Sequence, residues 1–218
     1  AGTIDGKGLT IQKGVGSIGS STAIPFDFTG CKITEWEIAC AQGEIAQLGI
    51  TVVGRDCVTG ETLATPSYTA AGTKPFKFNH ADVSLAGTGN QPVTNLTITG
   101  NNGLKTDRRF LSATAGGAIS EPLEEGLREY GGTLSMEFAS LTIYNAFIAG
   151  TELALVVTFD AGDPTLVVEG NIRYDGETPQ IGGREVTPQN VPFKFIRTTG
   201  GLAETAIKAT TVNSVATV

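Results

Sequence analysis

Histidine, methionine and tryptophan occur once each in this chain of 218 residues, as His80, Met136 and Trp36. A single histidine removes any site built on two imidazoles, which covers the common His-based metal centres and paired-His acid–base schemes. Cys31, Cys40 and Cys57 are an odd set with no Cys-x-x-Cys pair. Cys31 and Cys40 are nine positions apart, so one regular strand would turn them to opposite faces. Free thiols of a reducing compartment are therefore expected, not a disulfide framework. No apolar run approaches the ~20 residues that cross a bilayer as a helix, and nothing near the start resembles a signal peptide. The first residue is Ala1 and not Met, so the start is read as trimmed, processed or incomplete. Charge is scarce as well, at 17% against about 25% in an average soluble domain. Part of the surface is accordingly expected to lie under copies of the chain or under partners.

What charge there is sums to −7. That sign disfavours a protein that grips nucleic acid by its phosphates, yet suits a surface past which DNA slides without sticking. Apolar residues make up 40% of the chain, enough for a core, and glycines number 29. Glycine at that density, with short alternating segments between breakers, reads as an all-β chain rich in turns.

The stretch from Glu121 to Phe159 sets the pattern. Thr133 to Phe138 alternates, with Leu134, Met136 and Phe138 on one face and Ser135 and Glu137 on the other, which is the period of a half-buried strand. Ser140 is placed to cap a short helix, Leu141 to Ala149, that presents Leu141, Tyr144 and Ile148 on one side and Ile143 and Phe147 on another. Gly150 stops it. Leu153 to Phe159 is apolar almost throughout and predicts a strand covered on both faces. Upstream, residues 1–30 read as a flexible N-terminal arm, or an incomplete N-terminal region, with one short alternating segment at Leu9 and Ile11. Ala23 to Phe28 is a short strand ended by Gly30. Cys31 to Cys40 alternates, with Thr34, Trp36, Ile38 and Cys40 opposite Glu35 and Glu37, and pairs with Leu48 to Gly54 as a hairpin. Asp56 to Gly60 is read as a turn. Further strands are expected at Pro75 to Ala86, Val93 to Thr99, Leu166 to Tyr174, Val191 to Thr198 and Ala203 to Thr211. The sum is mainly β: a β-sandwich or barrel of antiparallel strands with one short helix.

Candidate chemistry is thin. His80 with Asp82 could form an oriented base, but no nucleophile motif accompanies them; a structural or surface histidine is the simpler reading. Glu121, Glu124, Glu125, Glu129 and Glu137 include possible glycosidase pairs, although solvated acids explain them as well. Asp160 and Asp163 lack the dense pattern of a calcium loop. Gly14-Val15-Gly16-Ser17-Ile18-Gly19 mimics a dinucleotide fingerprint without the βαβ unit it requires. Lys105, Arg108 and Arg109 form the one basic cluster, and the acidic run 121–129 is its natural complement, within the chain or from a neighbour. No metal, cofactor or small-molecule ligand is expected.

The order of segments resembles the tail tube proteins of long-tailed bacteriophages. Leu48-Gly49-Ile50-Thr51-Val52-Val53-Gly54-Arg55-Asp56 resembles a strand end of that family, and Pro75-Phe76-Lys77-Phe78, Ala81-Asp82-Val83 and Asn101-Asn102-Gly103-Leu104 continue the likeness. Asp107-Arg108-Arg109-Phe110-Leu111, Glu121-Pro122-Leu123-Glu124 and Gly131-Gly132-Thr133-Leu134 follow in order. So do Tyr174-Asp175-Gly176-Glu177-Thr178-Pro179 and Gln189-Asn190-Val191-Pro192-Phe193-Lys194. The resemblance implies a tail tube β-domain over 31–218, with no catalysis. Copies would form a ring, usually of six, and rings would stack into a hollow tube through which DNA passes without specific binding. Partners would be the chain itself and other tail proteins, not a membrane. The location would be the virion tail, after assembly in the host cytoplasm. Two site expectations accompany it: Glu35 and Glu37 face the lumen, and Lys105, Arg108, Arg109, Glu121, Glu124 and Glu125 make contacts between subunits. The alternative is a carbohydrate-binding or adhesin-type β-sandwich, which Trp36 disfavours because the only indole lies on an apolar face rather than on a platform for sugars. A hydrolase on a β scaffold comes third.

Overall fold

Alternation becomes a single curled sheet. The computed structural model describes residues 8–19, 22–65, 74–111, 119–138, 141–175, 188–197 and 206–212. Within them the chain runs β1 (Leu9–Gly16), β2 (Ala23–Ala41), β3 (Gln47–Val53), β4 (Asp56–Thr59), a 3-10 turn (Phe78–His80), β5 (Ala81–Leu85), β6 (Val93–Asn101), β7 (Leu104–Lys105), β8 (Leu123–Glu124), β9 (Glu129–Glu137), α1 (Thr142–Ala149), β10 (Leu153–Asp160), β11 (Thr165–Tyr174), β12 (Pro188–Ile196) and β13 (Ile207–Val212). Eleven strands form one sheet in the order β1-β2-β6-β9-β12-β11-β10-β5, with β3 and β4 also on β2 and β13 also on β11. Every pairing is antiparallel. The sheet curls into a half-barrel, and β7 with β8 makes a separate two-stranded ribbon.

The register explains where the core sits. Across β2, β6 and β9 the partners Cys40, Leu96 and Leu134 fall in line, as do Ile38, Ile98 and Gly132. The row continues to Val191 and Phe193 on β12 and to Ile172 and Tyr174 on β11. Leu155 and Val157 of β10, with Leu85 and Val83 of β5, complete the same face. Ile98, Leu134, Leu155, Val157 and Phe159 are fully buried there. Two glycines make room for rings. A side chain on Gly100 would meet the Trp36 indole at 2.3 Å, and one on Gly170 would meet Phe195 at 2.7 Å; rings laid over glycine fill space that a Cβ would deny them. The turn between β2 and β3 closes one end, through Ala46 donating to the Phe76 carbonyl and Phe78 to that of Glu44.

α1 lies on the core face, where Ile143 and Ala146 are buried and Phe147 meets Tyr174 edge-on at 5.4 Å. Of the two faces expected for the helix, the one bearing Leu141 and Ile148 is the exposed one. Gly150 ends the helix in the left-handed region, φ 62°, as read from sequence. Leu141, with no side-chain cap, occupies the N-cap; Ser140 lies outside the described residues.

Three expectations change. β10 is not covered on both faces: Leu155, Val157 and Phe159 are buried, while Ala154 is exposed and Val156 and Thr158 are half-buried. Among the described residues no second layer covers its other face. Asp56–Thr59 is a strand and not a turn, paired with Phe26–Thr29. Gly30 does not end a strand either. It sits in the middle of β2 at φ +60°, a conformation glycine adopts without steric cost, and β2 continues through it for 19 residues.

Candidate assembly surfaces

Gly30 divides β2 into halves with different surroundings. Beyond it, Lys32–Ala41 carries β3 on one edge and β6 on the other and contributes to the core. Before it, Ala23–Thr29 is flanked only by β1 and β4, a three-stranded arm. Partners across the arm share a face, so Ile11, Phe28 and Cys57 lie together, with Lys13, Phe26 and Thr59 beside them and Val15 with Ile24 beyond. Ile11, Val15, Ile24 and Phe28 are all at least 36% exposed. The opposite face, with Gln12 and Asp27, is crossed by residues 62–64. The Gln12 side chain donates to the Thr62 carbonyl and accepts from Ala64 N–H, and Leu63 lies over Gly14 at 3.1 Å from where its Cβ would be. One face of the arm is strapped and the other is left apolar and open.

Open strand segments of the main sheet differ in the same manner. β12 lies between β9 and β11, and its first half runs past the end of β11; Pro188, Asn190 and Pro192 alternate along that overhang, where the Pro192 carbonyl accepts from Asp175 N–H and that of Asn190 from the Tyr174 hydroxyl. Two of those three residues have no amide to offer an added strand. β3 has neither proline nor charge in Gln47–Val53. It pairs with β2 alone, and Leu48 and Ile50, on its core-side face, are 67% and 52% exposed. An uncharged, flat, apolar edge of this kind templates another strand unless something covers it.

On the face away from the core, Glu35 and Glu37 are exposed. Glu35 stands across from Asn101, whose amide donates to it at 3.0 Å, and Glu37 across from Thr99. Glu129 stands beyond Asn101 in the same row. Small polar residues fill the rows between, with Thr97 beside Thr133 and Asn95 beside Ser135. It is a polar surface with Glu35, Glu37 and Glu129 toward one end, Glu137 toward the other, and Lys194 in the row of Glu37.

The loop from Asn102 to Arg128 gathers the other expected residues. Asn102 is anchored where β2 shifts register between Ile33 and Glu35, its amide N–H donating to the Thr34 carbonyl and its side chain to that of Ile33, both at 2.8 Å. Lys105 pairs with Glu125 at 2.7 Å, and this bond and charge raise the lysine above its ordinary value. Arg128 pairs with Glu124 one helical-turn spacing away, raised for the same reason. Arg108 donates to the Glu121 carbonyl at 2.5 Å and lies over the Phe110 ring, 5.5 Å from its centroid. The basic cluster and the acidic run thus meet within one chain. Lys32 was not singled out from sequence. Its buried ammonium reaches Glu121 at 2.5 Å and the Pro122 carbonyl at 3.0 Å, tying the loop to the root of the arm. Its only sequence signal is position, a lysine between Cys31 and Ile33 in an otherwise buried run. Beyond the brace, Phe110, Leu111 and Leu127 stand exposed at 59%, 108% and 91%.

The candidates for chemistry disperse. His80 accepts from the Lys77 amide while Asp82 accepts from that of Asn90, so the two are engaged separately. Asp160 accepts from Gly162 N–H in a local turn. Glu121, Glu124 and Glu125 each face a different cation. Among the described residues no group of three His, Cys, Asp or Glu is placed to hold a metal ion, and no helix is long and apolar enough to cross a membrane. Cys31, Cys40 and Cys57 are free thiols, with Cys40 pushed up by burial.

An open apolar arm, a bare strand edge and a projecting apolar loop define a subunit built to join others. A family model described as phage tail tube protein matches residues 3–195. The chain belongs to the phage tail tube protein family, which makes it a structural component of a bacteriophage tail. No curated protein matches it.

Proposed function

We propose that copies of this chain close into rings, six being the expected number, and that the rings stack into the hollow tube through which phage DNA leaves the virion. The observation that carries this is the bare edge of β3, which has neither proline nor charge along it and pairs with β2 alone. Such an edge takes a strand from another copy, and a head-to-tail contact of that sort closes a ring when its rotation allows. Residues 31–218 supply the tube wall and residues 1–30 the arm, whose open apolar face reaches the next ring. The polar face bearing Glu35 and Glu37 lines the lumen, where carboxylates repel phosphate and small polar side chains give DNA nothing to hold. α1 then lies on the side of the sheet away from the lumen. The 102–128 loop, with Lys105, Arg108, Arg109, Glu121, Glu124 and Glu125, is held in shape by its own ion pairs and makes contacts between subunits. The chain performs no catalysis and needs no cofactor; other tail proteins cap the tube, and assembly takes place in the host cytoplasm.

Electron microscopy of the purified, concentrated protein tests the reading. Rings or hollow tubes are expected, and dispersed monomers at every concentration would refute it. For the lumen, Glu35→Lys with Glu37→Lys should leave tubes intact and slow DNA ejection; unchanged ejection would move those residues off the channel wall.

A further inference from the structure

The ladders on both sides of β2 are interrupted at one level, the root of the arm. Pairing of β2 with β4 ends at Thr29 and Asp56, and pairing with β3 resumes at Lys32 and Val53. Two residues stand between on each strand, Gly30 and Cys31 against Gly54 and Arg55, so nothing is inserted and the register is the same above and below. Within the gap the Arg55 N–H donates to the Thr29 carbonyl at 2.9 Å. On the other edge Leu9 pairs with Cys31 and Ile11 with Phe28, which leaves β2 one extra residue, a bulge. A Cβ added to Gly8 would stand 3.4 Å from the Gly30 Cα, and one added to Gly54 would stand 3.2 Å from the Cys31 Sγ. Gly8, Gly30 and Gly54 therefore form a row across the sheet where its ladders break.

The pieces on either side of the row are each held firmly. In the arm, β1 and β4 flank β2, and Gln12 binds the crossing segment at Thr62 and Ala64. On the other side Lys32, two residues past Gly30, is buried with its ammonium on Glu121 and the Pro122 carbonyl. Among the described residues none of the arm's side chains joins the core. We propose that the glycine row is a hinge, on which the arm turns against the rest of the sheet as one three-stranded piece. Gly30 is the pivot. It sits at φ +60°, and glycine takes an extended φ about as readily. Left-handed, it bends β2; extended, it lets the two matched registers join into one straight ladder. A few small residues that absorb the φ/ψ change are what a hinge needs. The arm thus turns freely in a lone subunit, and is held at one angle once its apolar face is covered. What covers that face rests on the tube reading; the hinge is a property of the single subunit.

Spin labels measure the angle. In a Cys57→Ser background, which leaves only the two buried native thiols, Gly16→Cys labels the arm, where an added Cβ meets nothing within 4 Å, and Thr99→Cys labels the sheet beyond the row. Their partners on β2 are Ala23 and Glu37, about 46 Å apart along an unbent strand. Double electron–electron resonance reads such a distance, with labelled protein diluted into unlabelled so that only pairs within one subunit count. Dispersed subunits should give a wide spread, and tubes one narrow distance. A single narrow distance, identical before and after assembly, overturns the hinge; a spread as wide in tubes as in dispersed subunits overturns its locking. Protein that never forms tubes refutes the tube reading alone, and the dispersed subunits still decide the hinge. Gly30→Ala, whose Cβ would stand 3.0 Å from that of Arg55 at this positive φ, should shift the dispersed distances toward the long, straight end. An unchanged distribution in that variant removes Gly30 as the pivot, and the wild-type distances decide the question if the variant does not fold.

Discussion

The two halves of β2 share a backbone and little else. After Gly30 the strand carries Ile38 and Cys40 into a face that β6, β9, β12, β11, β10 and β5 complete from the same chain. Before Gly30 it carries Ile24, Phe26 and Phe28 into a face that none of the described residues completes. One half has satisfied its apolar side chains within a single subunit; the other keeps them half-exposed, as a surface does when its partner is another molecule. Stability and assembly therefore occupy different parts of the fold, and substitutions should separate them.

Truncation in the wall should break folding most severely. Leu134→Ala or Leu155→Ala, at positions with no exposure, should cost about 2–5 kcal/mol, read by denaturant unfolding of the unassembled protein. Gly100→Ala comes next. Its methyl group would enter the Trp36 ring, and overpacking of this kind costs about 1–3 kcal/mol; a thermal scan should show a lower midpoint. Glu121→Ala strands the buried Lys32 ammonium with one carbonyl for a partner and should cost about 1–3 kcal/mol, with Lys32→Met milder because no charge is left buried. The arm should behave in the opposite way. Phe28→Ser with Ile24→Ser should change unfolding of the single subunit by no more than about 0.5 kcal/mol, as at ordinary surface sites, yet abolish tubes in electron micrographs. If those arm variants unfold the subunit, the contrast between the halves is lost.

The smallest effect concerns Lys105. Its raised value means that the Glu125 pair stabilises the folded loop fully below the ordinary lysine value of 10.5 and loses that contribution as pH rises through the folded value. The pair is exposed, so screening leaves little of it. Lys105→Ala should accordingly leave unfolding at neutral pH nearly unchanged and remove only the alkaline part of the pH profile.

Much of the wall was legible in sequence because a half-buried strand writes its period in side chains. Thr34 to Cys40, Val93 to Thr99 and Thr133 to Glu137 alternate as they fold. The hairpin of β2 with β3 followed from a short connection, and the stop of α1 from Gly150. The arm was less legible for the same physical reason. Asp56-Cys57-Val58-Thr59 faces no core, so burial imposed no alternation on it, and two flanking glycines gave it the look of a turn. Gly30 looks like a terminus because sequence shows glycine's freedom but not its use, here a bend inside a continuous strand. Leu153–Phe159 was read as doubly covered because its outer positions, Ala154, Val156 and Thr158, are themselves apolar or β-branched. Among the candidate sites, the complementarity of Lys105 with the acids was visible as charge. The Lys32 clasp was not, since it joins residues nearly ninety positions apart through a fold that pairing alone creates. Nor was the bare edge of β3, which exists only once its other side is known to be taken.

Amide hydrogen exchange, compared between dispersed subunits and assembled protein, measures the division most directly. Assembly should protect Leu9–Gly16, Ala23–Thr29, Asp56–Thr59 and the outward amides of Gln47–Val53, while Leu96, Leu134 and Leu155 exchange as slowly before as after. Protection in the assembled state confined to the wall, with the arm and β3 exchanging as fast as in the free subunit, would contradict it.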